Sequence, residues 1–128
     1  MIRGNLPRCP SIQGRGAPKC FRARTKLNDE LWATGPPLGL IPDSIYTEDE
    51  LHLDPGDALI LYTDGITEAT NCDGLEYEMT RLKDVCRVHA GKSADELAAA
   101  IVADLDAFAC GTPYEDDHTL VIARRLDQ

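Results

Sequence analysis

The side chains of this 128-residue chain best suited to chemistry gather in two acidic segments. Asp64, within Thr63-Asp64-Gly65, directly follows the apolar run Ala58-Leu59-Ile60-Leu61-Tyr62. Glu115-Asp116-Asp117 comes just before a second apolar stretch, residues 119–123. Both stretches read as strands. If they pair antiparallel, the end of one lies beside the start of the other. Asp64 then faces Asp116 or Asp117 at one edge of a sheet. Carboxylates held that close repel unless a cation or a proton lies between them. Oxygen ligands suit Mg²⁺ or Mn²⁺, and Gly65 would let the backbone approach such an ion closely. Spacing alone leaves a solvated turn open as the alternative for each segment, because Asp-Gly is a common turn pair.

Other residues with chemical potential carry less. Tyr62, Thr63 and His118 read as structural, and His52 and His89 fall on exposed faces. Neither a Gly-rich phosphate loop nor a nucleophile elbow occurs. Gly35-Pro36-Pro37-Leu38-Gly39 lacks the Lys of a phosphate loop and reads as a rigid turn.

The elements that must hold the two segments follow from pattern. Residues 30–34 suit a short strand, and residues 46–53, with Leu51 and Leu53 on one face and His52 on the other, suit another. Asp54-Pro55-Gly56-Asp57 is a turn. The 58–62 run is apolar throughout, as in a strand buried on both faces. Residues 66–75 read as a loop with a turn at Asn71-Cys72-Asp73-Gly74. Residues 76–89 look helical, with Met79, Leu82, Val85 and Cys86 on one face and Gly91 as the stop. Ser93-Ala94-Asp95-Glu96 is a capping box that opens a second helix. Leu97, Ile101, Val102, Leu105 and Phe108 form its buried stripe, and Gly111 and Pro113 end it. Strands, two helices and a last strand predict an α+β fold with an antiparallel sheet.

Composition sets the limits. The length allows one domain, and 43% hydrophobic with 27% charged residues is ordinary for a globular protein. No apolar run approaches a membrane span. The net charge of −9 is unevenly spread. Residues 1–28 hold seven basic and no acidic side chains, while residues 29–128 hold all 22 acids. So acidic a body repels nucleic acid and suits cations. Residues 1–28, rich in Pro and Gly, read as an unstructured basic leader, with the domain over 29–128. Five cysteines without a Cys-x-x-Cys pair suggest neither a disulfide framework nor a zinc site. Cys86 and Cys110 fall in helical patterns as buried thiols, and a reducing cytoplasm is the expected compartment.

Several runs together resemble a known family. They are Ala33-Thr34-Gly35-Pro36-Pro37-Leu38-Gly39-Leu40, Leu53-Asp54-Pro55-Gly56-Asp57, Leu61-Tyr62-Thr63-Asp64-Gly65-Ile66-Thr67-Glu68-Ala69 and Asp116-Asp117-His118-Thr119-Leu120-Val121. In order and spacing they are similar to bacterial PPM-type serine/threonine phosphatases of the stage II sporulation protein E class, over about residues 31–125. The resemblance implies part of an α-β-β-α sandwich of two antiparallel sheets with paired Mn²⁺ or Mg²⁺ ions at one end. It implies metal binding by Asp64 and Asp116, with Asp117 their neighbour and Gly65 beside the ion. It implies hydrolysis of phosphoserine or phosphothreonine on a regulatory protein such as an anti-sigma-factor antagonist. The family's Gly-Asp-x-Ser-Gly-x-Gly motif, whose Asp bridges the metals, has no counterpart in the sequence. The expectation is therefore a C-terminal part of the domain, weak or inactive alone, with one sheet face uncovered and free to pair with a like or unlike chain. The alternative is a non-catalytic interaction module derived from the same fold.

Overall fold

The computed structural model describes residues 19–23, 28–31, 36, 38–47 and 50–126. Among these residues, four strands form one antiparallel sheet in the order β2-β1-β3-β4: β1 is Lys19–Ala23, β2 Asn28–Leu31, β3 Ala58–Tyr62 and β4 Leu120–Arg124. Three helices lie between β3 and β4 in sequence: α1 (Asp64–Thr67), α2 (Glu78–Val88) and α3 (Ala94–Ala109). The α+β class and the β3–β4 pairing are as the pattern predicts, with Tyr62 opposite Leu120 and Ala58 opposite Arg124.

The core lies between the sheet and the α2–α3 pair. Ala58, Ile60 and Tyr62 alternate inward from β3, as a two-residue period demands. They join Leu82, Val85 and Cys86 of α2 and Leu97, Ile101 and Leu105 of α3 in one cluster. Emptying such a site, as in Leu97→Ala, costs about 2–5 kcal/mol. Leu59 and Leu61 point the other way and are only half-buried, so β3 is not fully covered on both faces. Val121, paired with Leu61 on that outer face, is 53% exposed.

Helix α3 begins as predicted. The Ser93 hydroxyl accepts from the Glu96 amide at 3.2 Å, and the Glu96 carboxylate accepts from the Ser93 amide at 2.8 Å. A polar staple joins α3 to α2. The Arg81 guanidinium donates to both Asp104 oxygens at 2.9 and 3.3 Å, and the Tyr77 hydroxyl donates to the same carboxylate at 2.7 Å. Arg81 also lies 4.7 Å above the Phe108 ring, a cation–π contact.

Several expectations need correction. Residues 19–23, placed in the unstructured leader, form β1, which is bonded on both sides, to β2 and to β3. Pro18 precedes the strand, so no proline interrupts either ladder. The rest of the leader apart from Asn28 lies outside the described residues, as do residues 32–34 of the strand expected over 30–34; the described part of that strand belongs to β2. No strand forms among the described residues of 46–53. There the Leu53 carbonyl accepts from the Arg125 side chain at 2.6 Å instead of from a ladder partner. Ile66 and Thr67, read as the start of a loop over 66–75, instead complete the short helix α1 that Asp64 opens. Val102, expected in the α3 stripe, is 50% exposed. Cys110 is exposed too, because it is the left-handed C-cap of α3 with φ of 53°. Among the described residues, no helix is long and apolar enough to cross a membrane.

Candidate functional site

The site lies where β3 ends and β4 begins. Tyr62, the last residue of β3, is fixed below the sheet edge, its hydroxyl 3.3 Å from the Met79 sulfur. Thr63 carries the ladder one step further: its amide donates to the Thr119 carbonyl at 3.1 Å. Its hydroxyl accepts from the Thr119 amide at 3.1 Å and donates to the Asp117 carbonyl at 3.3 Å. One threonine thus holds the acidic loop by its backbone.

Gly65 presses on the same carbonyl. A Cβ at this position would lie 2.2 Å from the Asp117 oxygen and 3.3 Å from Cδ2 of His118. Glycine is required here for close approach, since any side chain would displace the loop. Asp64, between Thr63 and Gly65, is 9% exposed, and its carbonyl accepts from the Glu68 amide at 2.8 Å to close α1.

The facing loop is ordered from within. The Asp117 amide donates to Oδ1 of Asp116 at 2.8 Å, which fixes that carboxylate. The Tyr114 and His118 rings meet edge to face with centroids 4.0 Å apart. The Tyr114 hydroxyl bonds to Asp106, which with burial pushes its pKa up to about 12. Tyr114, Glu115, Asp116, Asp117 and His118 line a shallow open concavity.

The antiparallel expectation therefore holds at the level of the backbone: residues 63–65 and 117–119 touch. Asp64 is buried, whereas Asp116 and Asp117 are exposed. Their carboxylate oxygens are the donor type that suits a hard cation such as Mn²⁺ or Mg²⁺. Among the described residues, no three His, Cys, Asp or Glu side chains gather as a metal-holding group. Thr63 has the structural role its sequence reading gives it, but no local pattern names its partners. Its partners lie 54 and 56 residues away, and only the β3–β4 pairing could have pointed to them.

Residues 13–126 match the family model described as stage II sporulation protein E (SpoIIE). The chain is 31% identical over 99 residues to Protein IcfG of Synechocystis, covering 77% of this chain and 16% of that protein. It is 32% identical over 96 residues to the phosphoserine phosphatase RsbU of Bacillus subtilis, covering 75% and 28%. The chain thus spans less than a third of either relative. Among solved structures it resembles the SiaA-PP2C domain of Pseudomonas aeruginosa, with TM-score 0.70 and 28% identity, over 86% of this chain and 43% of that one. The phosphatase domain of SpoIIE from B. subtilis, presoaked with Mn, matches in fold at TM-score 0.59 and 20% identity, over 86% and 47%.

Proposed function

The chain belongs to the stage II sporulation protein E family, and on that premise we propose that it forms part of a metal-dependent protein serine/threonine phosphatase domain. Its substrate would be phosphoserine or phosphothreonine on a regulatory protein, such as an anti-sigma-factor antagonist, in a reducing cytoplasm. The observation that carries this reading is the contact of Gly65 and Thr63 with the Asp117 carbonyl. It sets the Thr63-Asp64-Gly65 turn against the Asp116-Asp117-His118-Thr119 segment.

Asp64, Asp116 and Asp117 would hold Mn²⁺ or Mg²⁺, with Gly65 letting the Asp117 backbone pack against the turn. When bound, such an ion supplies an acidified water and neutralises phosphoryl charge. The chain's own residues do the positioning. Burial at the start of α1 fixes Asp64, the Asp117 amide orients Asp116, and Thr63 fixes the Asp117 backbone. With no counterpart of the bridging Asp motif in the sequence, turnover by this chain alone is expected to be weak.

Calorimetric Mn²⁺ titration of the chain beside Asp64→Ala tests the reading. Binding that disappears in the variant supports it. Absent binding, or binding indifferent to the substitution, contradicts it.

The exposed outer face, where Val121 stands beside half-buried Leu61, favours a second reading as a non-catalytic interaction module. Such a module predicts stable capture of a partner protein that Val121→Lys abolishes and Asp64→Ala leaves intact.

A further inference from the structure

The acidic loop before β4 is anchored at both of its ends. On the strand side the anchor is Thr63, which holds the Asp117 carbonyl and the Thr119 amide. On the other side it is Tyr114, whose hydroxyl donates to Oδ1 of Asp106, eight residues back in the last turn of α3. The chain reaches back because it reverses after the helix. Cys110 and Gly111 take left-handed φ angles of 53° and 83°, and the Thr112 amide donates to the Ala109 carbonyl at 2.9 Å. The Tyr114 ring meets the His118 ring edge to face, with centroids 4.0 Å apart, so the loop closes on itself. His118 in turn lies against Gly65, where a Cβ would stand 3.3 Å from its Cδ2. Glu115 and Asp116 sit between the two anchors.

We propose that Tyr114 is a positioning residue for the cation: its bond to Asp106 and its ring contact with His118 hold Asp116 and Asp117 in place opposite Asp64. The inference rests on the phosphatase reading, which gives those three carboxylates to the ion. Tyr114 and Asp106 are both exposed. Water competes for both groups, so their bond adds little to the stability of the whole fold. Its effect is local. A loop anchored at both ends loses less conformational freedom when an ion binds, and so binds it more tightly. With Thr63 alone, residues 115 and 116 would hang from one end.

The test is a double-mutant cycle of Tyr114→Phe and Asp106→Ala in the full chain, read by calorimetric Mn²⁺ titration with Asp64→Ala alongside. Phe keeps the net charge and the ring against His118 and removes only the hydroxyl. It should weaken Mn²⁺ binding about three- to tenfold, the share of one hydrogen bond, and leave the urea midpoint close to that of the wild type. Asp106→Ala also removes a negative charge, so it should weaken binding at least as much. The double variant should bind no more weakly than Asp106→Ala alone. Wild-type binding that Asp64→Ala abolishes and Tyr114→Phe leaves unchanged overturns this inference and spares the phosphatase reading. Additive losses in the double variant, or a weakening matched by an equal loss of unfolding stability, overturn it as well. No Mn²⁺ binding by the wild type, or binding indifferent to Asp64→Ala, overturns both.

Discussion

The Thr63 hydroxyl donates to the Asp117 carbonyl across 3.3 Å while accepting from the Thr119 amide at 3.1 Å, so one side chain joins the turn after β3 to the loop before β4. Thr63→Val keeps the shape and loses both bonds. It should cost about 1–3 kcal/mol, because two backbone groups lose their partner. Thr63→Ser should restore most of that. Urea midpoints of the three proteins check the order wild type, Ser, Val.

Gly65→Ala should be at least as harmful. Its Cβ would meet the Asp117 carbonyl at 2.2 Å, and that atom belongs to backbone that cannot simply rotate away. Overpacking of this kind costs about 1–3 kcal/mol. Equilibrium unfolding should show the loss, and the amide signals of residues 117–119 should shift. An unchanged spectrum would mean the loop is not pressed against the turn.

The α2–α3 staple predicts a pH dependence. Burial raises the Asp104 carboxyl, but the bonds from Arg81 and Tyr77 outweigh it and hold the group below the usual carboxylate range. A pKa depressed by folding contributes stability that is complete above the unfolded value of about 3.9 and fades as pH falls through the lower folded value. The stability gap between wild type and Asp104→Asn should therefore be constant from neutral pH down to about 5 and shrink below about 4. Urea unfolding at stepped pH measures it.

Helix α3 depends on its first residue. Ser93→Ala removes the oxygen that accepts from the Glu96 amide and should cost about 1 kcal/mol. Ser93→Asp should restore it, and thermal unfolding of the two variants provides the comparison.

What was legible in the sequence follows from where the forces act. The capping box at Ser93 and the stripe of Leu97, Ile101 and Leu105 are local, and both appear as read. The apolar run at 58–62 gave β3 and, with 119–123, the meeting of Asp64's turn with Asp117's loop. Strand β1 was hidden because prolines and glycines crowd the stretch before it, while its ladders run to β2 and β3. In the segment read as a strand over 46–53, no strand forms among the described residues, and the Leu53 carbonyl accepts from a long-range donor, Arg125. The Thr63 clamp joins residues 54 and 56 positions apart in sequence, and no local pattern encodes it.

The central claim is that Asp64 and the 116–117 loop share one cation. Mn²⁺ added in small steps to the ¹⁵N-labelled chain tests it most directly, since the ion broadens nearby amide signals. Residues 64–66 and 115–119 should broaden first and together, and Asp64→Asn should abolish the effect at both segments. Broadening that begins at other acidic positions, such as Asp95 and Glu96, or that survives Asp64→Asn, would contradict the account.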